Sequence, residues 1–360
     1  QPFVGTIYYN KAIFAEAGID AMPTTWSEFM DVCQKIKDAG YDPITVDDAY
    51  YPCLYGTYLA MMKGPDWVTE LLSDTTGANW SDPAVAQMAD DFAAMRANGY
   101  FSDSCGSNVF PSAQNGEFAM GTAAMYYNGS WLPNEVHDIT GDDFQWGAMF
   151  FPAPDNAEYP YTTYSTGCQF FGITKGCEHP EEALALLEEF TSVQTQQDMV
   201  DKAQSMPVVD GLELPENLKS AGELQAQSTD VIPWCGMYSS NSDVNAVVNG
   251  MFAELLAGSV DGAGFGRTVP APVSFAIDRQ EDASPPACGR YESRRLRKNL
   301  SIACTAMNGG RNHIEKKTNV FHSGVHWPGG YLLFGNVRVS AHPDAPDEPE
   351  SAARDQQQHV

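Results

Sequence analysis

Basic residues are scarce along most of this chain. Residues 1–260 hold 8 Lys and Arg against 36 Asp and Glu, and the full 360 residues carry a formal charge of −27. An acidic surface of that size repels phosphates and anionic lipid, so nucleic acid is not an expected partner. No stretch approaches the ~20 apolar residues of a membrane-spanning helix. The nucleophile elbow GxSxG, the zinc motif HExxH, the phosphate-binding P-loop and the dinucleotide fingerprint GxGxxG are all missing, which removes the common sequence supports for an enzyme. There is no CxxC and no paired histidine, so no metal and no cofactor is expected. His137 and His179 have no triad partners in view, and the acid pairs Glu181–Glu182 and Glu188–Glu189 sit on what reads as the solvated face of a helix. Six of the eight cysteines precede residue 261. Cys33 falls on an apolar helical stripe, and the cysteines are expected as small buried thiols ahead of disulfide bridges.

What is present is regular. From Tyr8 the chain reads as a strand end, then a helix capped by Asn10 and closed by Gly18. Thr25 and Glu28 have the spacing of a capping box, followed by an apolar stripe of Trp26, Phe29, Cys33 and Ile36. Gly40 ends that helix, and Pro43–Val46 reads as a buried strand. Asp82–Pro83 marks another helix start. Ala123–Tyr127 and Phe144–Phe151 read as strands. Cys168–Ser192 reads as strand, turn and a helix with Ala183, Leu184, Leu187 and Phe190 inward. Pro207 breaks the following helical stretch, and an amphipathic helix spans 241–258. Helices alternating with short apolar strands predict an α/β fold.

Three phrases carry a resemblance: YYNKAIFAEAGIDAMPTTWSEFMDVCQKIKDAG (8–40), GEFAMGTAAMYYNGSW (116–131) and CQFFGITKGCEHPEEALALLEEFTS (168–192). With them the chain resembles the bacterial extracellular solute-binding proteins of the sugar-binding type, relatives of maltodextrin-binding protein that serve ABC importers. The resemblance implies an α/β fold of the type II periplasmic-binding-protein kind, represented mainly by its second lobe. Residues 1–150 are expected as the first part of that lobe, 151–205 as a crossover belonging to the first lobe, and 206–260 as the return. The family places most of its first lobe ahead of the YYNK phrase. The chain begins at Gln1 without a methionine or signal sequence and so reads as starting within a longer protein. Past Val260 the family text stops. Residues 261–360 hold 12 Lys and Arg against 11 Asp and Glu together with five of the seven histidines. That segment reads as an atypical tail, either a genuine appended segment or, the favoured reading, out-of-frame or chimeric text, expected in that case to be largely disordered for want of a sustained apolar pattern.

A sugar offers a ring face of C–H groups and a rim of hydroxyls. Its site needs flat aromatic side chains together with carboxylates or amides. The resemblance puts Trp131, straight after Asn128–Gly129–Ser130, and Trp234 at stacking positions. It puts Asp47, Asp48, Tyr50 and Tyr51 in a loop where polar and aromatic contacts gather, with Tyr238 a weaker candidate. Each has a plainer reading. A single tryptophan is more often core than platform, as expected here for Trp26, Trp67 and Trp80. Asp47 and Asp48 have the placement of helix caps, and neighbouring Tyr50 and Tyr51 cannot both point one way from extended backbone.

The implied function is the substrate-binding component of an ABC-type carbohydrate importer. It would be extracellular or periplasmic, with permease subunits as partners, and tied to the membrane only through a lipid anchor not present in this chain. By family mechanism the sugar binds between lobes, which then close, and no bond is made or broken. Lacking one wall of the cleft, the fragment is expected to bind sugar weakly or not at all. Two readings from other classes stay open: a glycoside hydrolase using the same aromatic and carboxylate kit, and a same-fold binding protein for a polyamine or other cation, drawn by Asp47–Asp48.

Overall fold

The computed structural model describes residues 2–107, 112–159 and 162–268, all within a unit spanning Gln1–Gly309. Strand β1 (Pro2–Asn10) leads into α1 (Lys11–Glu16), capped by Asn10, whose Oδ1 accepts the Ala12 N–H at 2.9 Å. Thr25 and Glu28 form a capping box on α2 (Trp26–Asp38), and Trp26, Phe29, Cys33 and Ile36 are all buried. After β2 (Asp42–Thr45) comes a single 3-10 turn at Asp48–Tyr50. It opens into α3 (Tyr51–Lys63), which is buried on almost every side. This suits its nearly unbroken apolar sequence, since a helix apolar all round belongs inside.

Helices α4 (Pro65–Leu71) and α5 (Pro83–Ala97) follow, α5 entered through Asp82 and a proline in its first turn. Then come α6 (Ser112–Ala119), β3 (Ala123–Gly129), α7 (Leu132–Thr140), β4 (Trp146–Met149) and β5 (Thr163–Cys168). The described chain ends with α8 (Pro180–Phe190), α9 (Val193–Ala203), α10 (Glu216–Gln227), β6 (Asp230–Pro233), α11 (Ser242–Leu256) and α12 (Gly262–Thr268).

The strands form one mixed sheet in the order β2-β3-β1-β5-β6, with β4 also on β1. β1 is antiparallel to all its neighbours. Its residues 5–9 face β3, its residues 2–5 face β5 and its residues 7–10 face β4. β2 is parallel to β3 and β6 to β5. Side-chain alternation along β1 divides the interior. Ile7 enters the larger core with Trp26, Leu54, Phe92 and Phe252, whereas Tyr8 enters a smaller one with Phe118, Tyr126, Leu132 and Trp146. The mixed sheet with helices packed on it is the α/β architecture expected.

Four expectations need correction or a boundary. The strand expected to begin at Cys168 instead ends there. The chain then leaves the sheet, so α8 has no sheet surface beneath it among the described residues. Leu184 is 50% and Phe190 38% exposed, not inward, and no residue of α8 is fully buried. Cys53 and Cys235 are joined in a disulfide, in place of the thiols expected. They lie 182 residues apart, so only the packing of α3 against the end of β6 brings them together. Cys33 and Cys105 are buried thiols. Helical structure continues past Val260 into α12, whose Phe265 is fully buried against Phe252. The rest of the atypical tail, residues 269–360, lies outside the described residues.

Candidate functional site

Where β1, β3 and β5 meet, one face of the sheet is paved with glycine. Gly5 on β1 is paired with Gly129 on β3, and Phe3, two residues before Gly5 and on the same face, is paired with Gly167 on β5. Glycine in a strand weakens it unless something packs closely on the bare backbone. Here aromatic rings do. A Cβ placed on Gly129 would lie 2.3 Å from Trp131 Cη2, one on Gly5 would lie 2.7 Å from Trp234 Cζ3, and one on Gly167 would meet Phe3 Cζ at 2.4 Å. Any side chain larger than hydrogen at these positions would displace a ring.

Four rings gather on this floor. Trp131 and Trp234 have centroids 5.6 Å apart at 55°. Phe3 lies edge-on to both, at 5.3 Å from Trp131 and 5.0 Å from Trp234. Tyr50 completes the group at 6.1 Å and 6.4 Å from the two indoles, and its hydroxyl accepts the Trp131 Nε1–H at 3.0 Å. Tilted and edge-to-face geometries of this kind suit the ring quadrupoles. Phe3, Trp131 and Trp234 are only half-buried while Tyr50 is buried, so the cluster rests on the core and keeps part of its indole surface toward solvent. Partly exposed aromatic surface of this kind can pack against a flat, weakly polar ligand.

The expected site residues therefore separate. Trp131, Trp234 and Tyr50, from β3's end, β6's end and the 3-10 turn before α3, are brought together. Tyr51, one residue on, points into the core: its ring packs on Phe252 at 5.7 Å and its hydroxyl accepts the Gly106 N–H at 2.7 Å. Asp47 is 0% exposed. Its carboxylate caps the 3-10 turn by accepting the Ala49 N–H at 2.9 Å, and it accepts the Tyr126 hydroxyl at 2.6 Å. Burial pushes that carboxyl up to about 7, hydrogen bonds from Tyr126 and from the backbone of Ala49 and Tyr50 offsetting only part of the desolvation. Asp48 is half-buried at the start of the same turn. Tyr238 is 66% exposed and joins none of the ring pairs of the cluster; its backbone N–H is held by Thr69 Oγ1 at 2.9 Å.

Phe3 and the glycine floor escaped the sequence reading. The usable signal was glycine inside strands, at Gly5, Gly129 and Gly167, within a few residues of aromatic side chains. Among the described residues no group of three or more His, Cys, Asp or Glu is placed to hold a metal ion, and no helix is long and apolar enough to cross a membrane.

Comparison with known proteins gives a consistent picture. A family model described as bacterial extracellular solute-binding protein matches residues 3–226. The diacetylchitobiose binding protein NgcE of Streptomyces coelicolor is 25% identical over 279 residues, which cover 73% of this chain and 58% of that protein. The chain thus spans little more than half the length of that relative. Among solved structures, a chitin oligosaccharide binding protein superposes with a TM-score of 0.64 at 22% identity, covering 77% of this chain and 70% of the other. The raffinose complex of the binding protein RafE gives 0.60 at 22% identity, covering 76% and 71%. At these identities the structural likeness speaks for the fold. The family and these neighbours are binding proteins, not enzymes.

Proposed function

This chain belongs to the bacterial extracellular solute-binding protein family, and from that premise we propose that it captures a sugar or oligosaccharide for an ABC-type importer without transforming it. The observation that carries the reading is the half-exposed cluster of Phe3, Trp131 and Trp234, braced by Tyr50, over a glycine floor. Its flat apolar surfaces suit the C–H face of a pyranose, and the names of the matched proteins, for diacetylchitobiose and chitin oligosaccharides, point to the same ligand class. Asp48, at the edge of the turn that carries Tyr50, is the acceptor we assign to the hydroxyl rim, while Asp47 serves as a cap and Tyr51 as core.

We place residues 1–150 and 206–260 in one lobe and 151–205 in another. β1 is common to both, pairing with β5 at its start and β4 at its end, and β6 of the return also pairs with β5. Sugar bound between lobes, permease subunits as the docking partner and an extracellular or periplasmic setting with a lipid anchor complete the reading. A polyamine-binding role draws less support, because the buried carboxylate of Asp47 is occupied by Tyr126 and Ala49. A glycoside hydrolase would need two carboxylates free to face a substrate at the cluster; of the acids beside it, Asp47 and Asp48 share one turn, and Asp47, the neighbour of Glu135 on α7, is fully buried and taken up by Tyr126 and Ala49.

Calorimetry with a panel of oligosaccharides, diacetylchitobiose and raffinose included, tests the proposal. We expect saturable binding by this chain in roughly the millimolar range, no response to spermidine and no release of reducing sugar. A chain that ignores every saccharide, or that responds to spermidine alone, would overturn it.

A further inference from the structure

Trp234 is the member of the cluster furthest from its partners in sequence, and it is held from three sides. Ser165 on β5 is 1% exposed and stands opposite Gly5, the residue whose missing side chain makes room for the Trp234 ring. Its hydroxyl donates to the Pro233 carbonyl at 3.2 Å and accepts the Cys235 N–H at 3.2 Å. One buried hydroxyl therefore grips the backbone on both sides of Trp234. Behind the indole, α3 comes into backbone contact with the same turn. A Cβ on Gly56 would lie 2.0 Å from the Cys235 carbonyl oxygen, and one on Gly236 would lie 2.1 Å from the Gly56 carbonyl oxygen. Only glycine fits at either place. The third hold is covalent, Cys53 of α3 to Cys235.

The turn needs this grip. Cys235 has φ +57° and Gly236 φ +73°, two successive left-handed residues. A non-glycine residue is disfavoured in that region and stays there only where its surroundings dictate it. Released, the turn would relax toward ordinary backbone and carry the Trp234 ring off Gly5.

We propose that Ser165, the Gly56–Gly236 contact and the Cys53–Cys235 disulfide are positioning residues that set Trp234 against Trp131, so that the oxidised chain has an assembled aromatic platform and the reduced chain does not. Reduction by a dithiol breaks the S–S bond and adds two electrons and two protons, giving two thiols while the dithiol closes to its own disulfide. The effect on ligand rests on the carbohydrate reading; the effect on the indole pair does not.

Two indoles 5.6 Å apart couple their electronic transitions, producing a circular-dichroism couplet assignable by its loss in Trp131→Phe. We expect dithiothreitol to cut that couplet by more than half and to weaken diacetylchitobiose binding roughly tenfold, about 1.4 kcal/mol. Ser165→Ala keeps the disulfide and all helices, so it decides the case in which reduction unfolds the chain; it should also weaken the couplet. Full couplet amplitude both after complete reduction and in Ser165→Ala would overturn the proposal. If the oxidised chain shows the couplet but binds no diacetylchitobiose, the ligand assignment fails while the couplet still decides the clamp.

Discussion

Gly5 on β1 stands directly opposite Gly129 on β3, and a different tryptophan covers each: Trp234 over Gly5 and Trp131 over Gly129. The pairing sets the spacing of the two indoles by the spacing of adjacent strands. It ties segments more than a hundred residues apart into one surface, and its consequences can be measured.

Gly129→Ala should expel the ring above it. The new methyl would lie within 2.5 Å of three Trp131 ring atoms, a clash a rigid indole cannot absorb by bending. The better strand propensity of alanine offsets a few tenths of a kcal/mol. The net expectation from overpacking is a loss of about 1–3 kcal/mol in urea unfolding, with tryptophan emission shifted to the red. Unchanged stability and emission would place the ring elsewhere.

Tyr50→Phe removes the acceptor of the Trp131 Nε1–H while keeping the ring. Because Trp131 is half-buried, water can partly replace the hydroxyl. The expected cost is about 0.5–1.5 kcal/mol of stability, read by chemical denaturation, with a modest fall in saccharide affinity. A neutral result in both would leave the hydrogen bond without a role.

Asp47 gives the chain a pH signature. Its carboxyl is raised by burial from 3.8 to about 7, so between those values the folded chain holds a proton that the unfolded chain has lost. Stability from this group is therefore full below about pH 4, falls as pH rises toward about 7 and levels off above. Asp48 on the same turn and Glu135 of α7, itself raised by burial and by Asp47, share the neighbourhood. Asp47→Asn keeps a capping side chain that can accept from Tyr126 but cannot ionise. Between about pH 5 and pH 8 the wild type should lose on the order of 1–3 kcal/mol more than the variant. Equal pH slopes in denaturation series would contradict the assignment.

Helix α8 should tolerate what α11 does not. Leu184 on α8 is half exposed, whereas Phe252 on α11 is fully buried against Tyr51, Tyr55, Phe92 and Phe265. In this chain Leu184→Ala is expected to cost within about 0.5 kcal/mol, and Phe252→Ala about 3–5 kcal/mol. A large cost at Leu184 would mean that the helix packs against something more.

Much of this was legible in order along the chain because the signals are local. The capping box at Thr25–Glu28, the Asn10 and Asp82 caps and the stripe of α2 all act within one or two helical turns. Family phrases pointed to Trp131 and Trp234, but what each touches depends on strand register, and register is a long-range property. That is why the glycine floor, Phe3 and the grip of Ser165 were not foreseen. Tyr50 and Tyr51 read as extended backbone in the sequence, but they sit where a 3-10 turn runs into α3; both are buried, and only Tyr50 joins the cluster. The inward reading of Leu184 and Phe190 went astray for a related reason. Amphipathic spacing shows that a helix has an apolar face, not that a partner covers it.

The central claim, that the paired indoles hold a saccharide, can be tested with 5-fluorotryptophan incorporated at all seven tryptophans and fluorine spectra recorded during titration with diacetylchitobiose. Signals assigned by single Trp→Phe substitutions should show Trp131 and Trp234 moving together and saturably, while buried Trp26 and Trp80 stay fixed. If both indole signals remain in place as sugar is added to saturation of the solution, the cluster is structural and the account is wrong.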